Sequence, residues 1–221
     1  MMGGAFTFNH FVYLLQGMMW TVVLSALAFV LGGVAGFGVM LMRTARTRLL
    51  RQISFVFVQL VQGTPLLILL FVVYFGLGVV GIELPPLLAA GVSLMVYSSA
   101  FLGEIWRGCV ESVPRTQWEA SECLALTRWQ TLVDVILPQA ARIATPPTVG
   151  FLVQVMKSTS LASVVGFVEL TRAAQVVNNS LFTPFLVFGI AGVLYFALCY
   201  PLSRWSRSLE RKLNVGRRQA A

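Results

Sequence analysis

Met18–Met42 reads MMWTVVLSALAFVLGGVAGFGVMLM, a stretch without one acidic or basic side chain. No Asp, Glu, Lys or Arg occurs between His10 and Arg43, and a helix needs only ~20 apolar residues to cross a bilayer core. Outward from that run the same kind of gap recurs: Gln52 to Ile82, Leu84 to Gly103, Ile143 to Val168 with Lys157 inside it, and Ala173 to Ser203. Five gaps predict five membrane-spanning helices. Composition agrees, because the 221 residues are 57% hydrophobic and 11% charged, whereas soluble domains carry roughly 25% charged residues. Mean hydropathy is +0.82. A soluble globular domain is excluded, and so is intrinsic disorder.

The charges give an orientation. Arg43, Arg46, Arg48 and Arg51 follow the first gap; Arg107, Arg115, Arg128 and Arg142 follow the third; Arg204, Arg207, Arg211, Lys212, Arg217 and Arg218 follow the fifth. With five spans these places share one side, which then holds 14 of the 16 basic residues. The positive-inside rule makes that side cytoplasmic, with the N-terminus outside and the C-terminus inside. The net charge of +8 is therefore a topology signal rather than a nucleic-acid footprint. MMGGAFTFNHF has no basic residue ahead of the first apolar run, so the expectation is a retained helix rather than a cleaved signal peptide. Cys109, Cys123 and Cys199 form no CxxC pair and point to neither a disulfide framework nor a metal site.

Three features inside the spans stand out. Ala28, Gly32 and Gly36 recur at four-residue spacing; small residues so placed let helix backbones approach, although glycine is also simply frequent in membrane helices. Gly63-Thr64-Pro65 is expected to bend or open the second span, because proline removes a backbone donor; a kink is the plainer reading and a ligand site the sharper one. Lys157 lies near mid-span at a 1.5 Å rise per residue, where an ammonium costs about 2.5–3.5 kcal/mol on insertion scales. Its neighbours Gln154, Ser158, Thr159, Ser160 and Ser163 are polar. Either Lys157 pairs with another helix or snorkels, or it lines a pathway, with Glu169 and Arg172 at the outer mouth.

Arg107–Arg142 reads RGCVESVPRTQWEASECLALTRWQTLVDVILPQAAR. After Pro114, Trp118, Ala125, Trp129, Leu132, Val133 and Ile136 recur at three- and four-residue intervals among Glu119, Glu122, Arg128 and Asp134. That periodicity predicts amphipathic helix, broken between elements and stopped at Pro138. Such a helix lies on the membrane, packs under its own bundle or docks into a partner, and pattern alone does not choose.

At these residues the sequence resembles a known family. Glu119-Ala120-Ser121, then Leu124-Ala125 and Ile136-Leu137-Pro138, resembles the EAA loop of inner-membrane permease subunits of ABC importers. ILPQAAR, Pro146-Pro147, KSTSLASVVGFVELTRAAQ, Gln62-Gly63-Thr64-Pro65-Leu66-Leu67 and Tyr74-Phe75-Gly76 look like the polar amino-acid permease subfamily. The resemblance runs from about Gly17 to Leu213. Ser121 stands in place of the second Ala, Ala125 where Gly is usual, Gln62 where many relatives carry Arg, and Ser158 where many carry Asp.

The resemblance implies a single transmembrane permease domain over residues 1–221 with the type I ABC importer permease fold, a coupling loop at about 107–142 and a basic cytoplasmic tail at 204–221. It implies a multi-pass protein of the bacterial inner membrane, surrounded by lipid. In that family a short coupling helix, here around Thr116 to Leu126, enters a groove on a cytoplasmic ATPase subunit. Glu119, Ala120, Ser121, Glu122 and Ala125 are the coupling candidates. Gln154, Lys157, Ser158, Thr159, Ser160 and Glu169 are the substrate-pathway candidates, with Lys157 facing an amino acid's carboxylate and Glu169 its ammonium. The implied partners are two ATPase subunits, a second permease chain (identical or homologous) and a periplasmic amino-acid-binding protein. No nucleic acid is expected, and no cofactor on this chain, since ATP-Mg belongs to the ATPase.

The residues themselves carry no GxxxxGK[ST] phosphate loop, HExxH or GxSxG. The one histidine, His10, lies outside the spans, so no catalytic or metal-ligating set is expected. An ion-coupled secondary amino-acid transporter is the alternative, because an intramembrane lysine also suits ion coupling; no internal inverted repeat is detectable in its favour.

Overall fold

The computed structural model describes residues 5–219, with side chains through Leu213. Residues 1–4 and the side chains of Arg217 and Arg218 therefore lie outside the described part. Eight helical segments follow in order: α1 (Phe8–Thr44), α2 (Arg48–Gly63), α3 (Leu66–Val79), α4 (Pro86–Glu111), α5 (Arg115–Cys123), α6 (Arg128–Val165), α7 (Leu170–Leu181) and α8 (Pro184–Gln219). Among the described residues there is no strand. Four helices (α1, α4, α6 and α8) are each long and apolar enough to cross a membrane, and α2 with α3 make a fifth span only as a bent pair.

That bend is 103°, a break rather than the gentle kink that one proline gives. Thr64, preceding proline, is pushed to extended backbone at φ −105°, ψ 129°. Pro65 supplies no N–H. The Thr64 hydroxyl donates to the Leu60 carbonyl at 2.7 Å, covering an acceptor at the broken end of α2. Beyond it the Ile68 and Leu69 N–H groups restart the ladder on the Pro65 carbonyl.

α1 and α4 are the closest pair in the bundle. A Cβ on Gly36 would lie 3.0 Å from the Ser99 carbonyl oxygen, and one on Gly103 would lie 2.7 Å from Val39 Cγ1. Ala28, Gly32 and Gly36 are all buried, so the small-residue stripe is a packing surface. Leu24, Leu70, Leu94, Leu102, Phe151 and Val155 form the central core from α1, α3, α4 and α6. A second cluster of Met40, Val110, Val113, Ile136 and Ala140 gathers the end of α1, the end of α4 and the start of α6 at one end of the bundle. Ser206 of α8 donates to the Pro146 carbonyl nearby. The outer surface of α8 is apolar: Phe185, Val193 and Phe196 are exposed, as befits a surface solvated by lipid.

Two sequence expectations fail here. Pro138 does not stop a helix, because α6 runs unbroken from Arg128 to Val165. A π-turn at Thr131–Ile136 precedes the proline, and the Leu137 N–H reaches back five residues to the Leu132 carbonyl. One residue of slack in the ladder is what lets a ring without a donor continue the helix. The uncharged run Ala173–Ser203 is likewise not one helix. It divides at Phe182-Thr183-Pro184, where Phe182 takes left-handed backbone at φ 53° and proline begins α8.

Candidate functional site

The loop helix comes first. α4 extends to Glu111 and α6 starts at Arg128, so the segment outside the long helices shrinks to Ser112–Thr127, with α5 over Arg115–Cys123. α5 is shorter than the expected Thr116–Leu126 because Leu124 and Ala125 leave the helix, Ala125 at φ 54°. Such backbone explains why glycine is usual there: an L residue is crowded by its own Cβ. Thr127 restarts the chain by a capping box, its N–H donating to Gln130 Oε1 at 2.9 Å while its hydroxyl accepts from the Gln130 N–H at 3.4 Å.

α5 has two faces. Ser121 is buried and its hydroxyl donates to the Gln117 carbonyl at 2.8 Å. Trp118 packs on the Met40/Ile136 cluster, and the Gln139 side-chain amide donates to Gln117 Oε1 at 3.2 Å. Glu119, Ala120, Glu122 and Ala125 are exposed. Of the five coupling candidates, Ser121 is therefore the one that faces the protein's own bundle, where its small size serves internal packing. Leu124 and Trp129 are 74% and 64% exposed, which leaves two large apolar side chains in water beside the acidic ones. Sequence reading passed over them as interface residues, although an apolar side chain at the frayed end of a charged helix is a usable signal. A depression of about 550 Å³ lies on this side, lined by Glu111, Arg115, Trp118, Glu119, Glu122 and Arg128 among others.

The second region lies at the break between α2 and α3. A cavity of about 430 Å³ is lined by Gln62, Gly63, Thr64, Pro65, Leu66, Tyr97, Phe101, Gln154, Ser158 and Leu161. The unwound backbone leaves room there, since irregular backbone at membrane depth occurs where it lines a cavity or is buried in protein. Gln154 and Ser158 are the pathway candidates that reach it. Gln62 and Tyr97 are not among the pathway candidates, because only the folded chain brings α2, α4 and α6 together.

The remaining candidates divide. Lys157 is exposed on α6 next to Gln154 and Ser158, and it has no ion-pair partner among the described residues. Thr159 is fully buried and donates to the Met156 carbonyl, while Ser160 donates to the Lys157 carbonyl, each at 2.8 Å. These hydroxyls knit the tightened last turns of α6, Thr159–Val165. Glu169 is also fully buried. Its carboxylate caps α7, accepting from the Thr171 and Arg172 N–H groups at 2.9 Å each and from the Tyr195 hydroxyl at 2.6 Å. With both oxygens taken and no exposed surface, Glu169 does not meet an ammonium in this structure. Its observed place is a buried joint between α7 and α8, stapled to α1 through the Leu170 N–H and the Thr21 hydroxyl.

A helical membrane subunit with a polar cavity at a broken span and an amphipathic loop helix held outward is the class that this architecture defines. The chain belongs to the family described as binding-protein-dependent transport system inner membrane component, whose model matches residues 28–215. It is 33% identical over 204 residues to the probable amino-acid ABC transporter permease protein YckA of Bacillus subtilis (strain 168), covering 92% of this chain and 90% of that one. It is 34% identical over 199 residues to the L-cystine transport system permease protein TcyB of the same organism, covering 90% and 85%. Its fold is similar to a chain in the crystal structure of an amino acid ABC transporter with histidines, at a TM-score of 0.87 and 27% identity, covering 95% of this chain and 100% of that one. The chain is thus a transport subunit of the inner membrane.

Proposed function

We propose that the chain is the translocation subunit of an importer of polar amino acids. ATP-Mg is hydrolysed on two separate ATPase subunits, and a periplasmic binding protein delivers the substrate. The observation that carries this reading is the two-faced loop helix: Ser121 and Trp118 fasten it to the bundle, while Glu119, Ala120, Glu122, Leu124 and Trp129 are left to a partner. A rigid helix presented this way converts movement of a docked ATPase into movement of α4 and α6, to which it is joined by short connections. The relatives' amino-acid substrates support the substrate class.

Lys157 and Gln154 are exposed on a helix that crosses the membrane, and a bare ammonium against lipid is costly. A second permease chain, identical or related, would cover this face and turn it into a shared water-filled path. Within it Lys157 holds the substrate's carboxylate. Gln154, Ser158 and the Gln62/Tyr97 cavity supply neutral hydrogen bonds, Thr159 and Ser160 shape the turn behind them, and Glu169 holds the outer helix in place. The basic ends of α1, α4 and α8 fall at the end of the bundle that carries α5, which supports a cytoplasmic loop helix, an outer N-terminus and a cytoplasmic C-terminus.

The test is Glu119→Lys in vesicles that contain the whole complex. The expected result is normal insertion and ATP hydrolysis with uptake lost. Retained ATP-driven uptake counts against docking through this face.

A further inference from the structure

A string of charges runs back along α4 from its loop end and crosses to the end of α1, and neither the exposed face of α5 nor the polar cavity uses it. Glu111, at the lip of the depression that Arg115 and Glu119 also line, is paired with Arg107 one turn back on α4. Arg107 Nε donates to Glu104 Oε1 at 3.0 Å. The other oxygen of Glu104 accepts from Nε and Nη2 of Arg43 on α1, both at 3.3 Å. Arg43 in turn lies over the Phe55 ring of α2, 5.1 Å from its centroid. The Arg43, Glu104 and Arg107 side chains are 12%, 27% and 23% exposed, so water and salt screen them less than an ordinary surface pair.

We propose that Glu104 is a positioning residue for energy coupling: it clamps α1 and α2 to α4, so that displacement of the loop helix moves them as one body. The inference rests on the ATP-driven reading above. Only Ser112, Val113 and Pro114 separate α4 from α5, and Val113 is buried, so a push on α5 arrives at the last turn of α4. Immediately before Glu104, Gly103 lies against Gly36 and Val39 of α1 with no room for a Cβ. At the loop end the Arg43–Glu104 pair is the polar fastening between the two helices. Without it, the end of α4 slides past α1, and the displacement is spent before it reaches Tyr97 and Phe101, which face the polar cavity. Tyr97 and Phe101 stand about 21 Å and about 15 Å from Glu111 along the helix at 1.5 Å per residue.

The experiment uses the complete transporter with its ATPase subunits and binding protein in lipid vesicles, and reads ATP hydrolysed per amino acid taken up. Glu104→Gln leaves Arg43 without a carboxylate and Arg107 with Glu111 as its remaining partner, and so carries a folding risk. The triple variant Arg43→Gln/Glu104→Gln/Arg107→Gln leaves no guanidinium unpaired, at the cost only of the partner of exposed Glu111, and accompanies it. The expected result is an assembled complex with wild-type hydrolysis in the absence of binding protein and a ratio of ATP to substrate raised by about 2- to 30-fold, the range that changes in coupling networks produce. A purely structural fastening would lower the yield of complex and leave the ratio of the assembled fraction at the wild-type value; that outcome overturns the proposal. Uptake by the wild-type complex that does not depend on ATP overturns the ATP-driven reading and this inference with it, so the two failures are told apart by the wild-type control.

Discussion

Gly103→Ala measures how tightly α1 and α4 are locked. The new Cβ would lie 2.7 Å from Val39 Cγ1, 2.8 Å from Val39 Cβ and 3.0 Å from the Gly36 carbonyl oxygen, whereas carbon pairs rest at about 3.5–4.0 Å. Val39 Cβ is fixed to its backbone, so a rotamer change cannot clear both atoms and the helices must part. Overpacking of this kind costs about 1–3 kcal/mol. Alanine in mid-helix returns about 0.5–1 kcal/mol relative to glycine. The net is a loss of up to about 2.5 kcal/mol and about 1 at the middle of both ranges, or a few degrees of Tm at ~2–4 °C per kcal/mol for a chain of this size. Gly38→Ala is the matched control, because a Cβ there meets nothing within 4 Å and only the helix gain remains. Thermal unfolding in detergent, followed by tryptophan fluorescence, should move Tm down for Gly103→Ala and leave it unchanged or raised for Gly38→Ala. A Gly103→Ala protein as stable as the control would refute the close approach.

Three further outcomes are expected. Ala125→Gly removes the crowding of a left-handed alanine, worth about 1–2 kcal/mol, at a smaller entropic loss of about 0.4–1 kcal/mol, so the same unfolding assay should show unchanged or slightly raised stability. Glu169→Ala should destabilise the protein by about 1–2 kcal/mol as a lost helix cap, lowering the amount of folded complex while the KM for uptake stays fixed; a raised KM at normal complex yield would return Glu169 to the substrate. Lys157→Met should leave assembly intact and raise the KM by about 10- to 100-fold, the equivalent of a charge-assisted hydrogen bond of about 1.5–3 kcal/mol. Unchanged uptake kinetics would remove Lys157 from the pathway.

Much of the architecture was legible because the bilayer imposes it. Uncharged runs locate the long helices, and Gly63-Thr64-Pro65 located the break. Where the reading fell short, the missing information was local backbone or convergence in space. Pro138 is a stop signal only if the ladder before it is α-helical, and the π-turn at Thr131–Ile136 removes that condition. No charge marks the division at Phe182-Thr183-Pro184, so a scan for uncharged runs passes over it. Ser121 and Ala120 are adjacent small residues, one buried and the other exposed, and nine residues of helix leave its facing open until Trp118 is seen to pack. Glu169 reads as a mouth residue because it lies just beyond the uncharged run that holds Lys157; its two backbone donors and Tyr195, 26 positions away, become visible only on folding. The polar cavity has the same origin, since Gln62, Tyr97 and Gln154 belong to three different helices.

The central claim is that this chain moves an amino acid across the inner membrane on energy delivered through α5. It is tested most directly by loading purified chain and ATPase subunits into vesicles, adding the binding protein with radiolabelled amino acid, and measuring accumulated label. Uptake that needs both ATP and the binding protein, and that disappears with Glu119→Lys, is the predicted result. Uptake driven by an ion gradient with no ATP present would contradict the account.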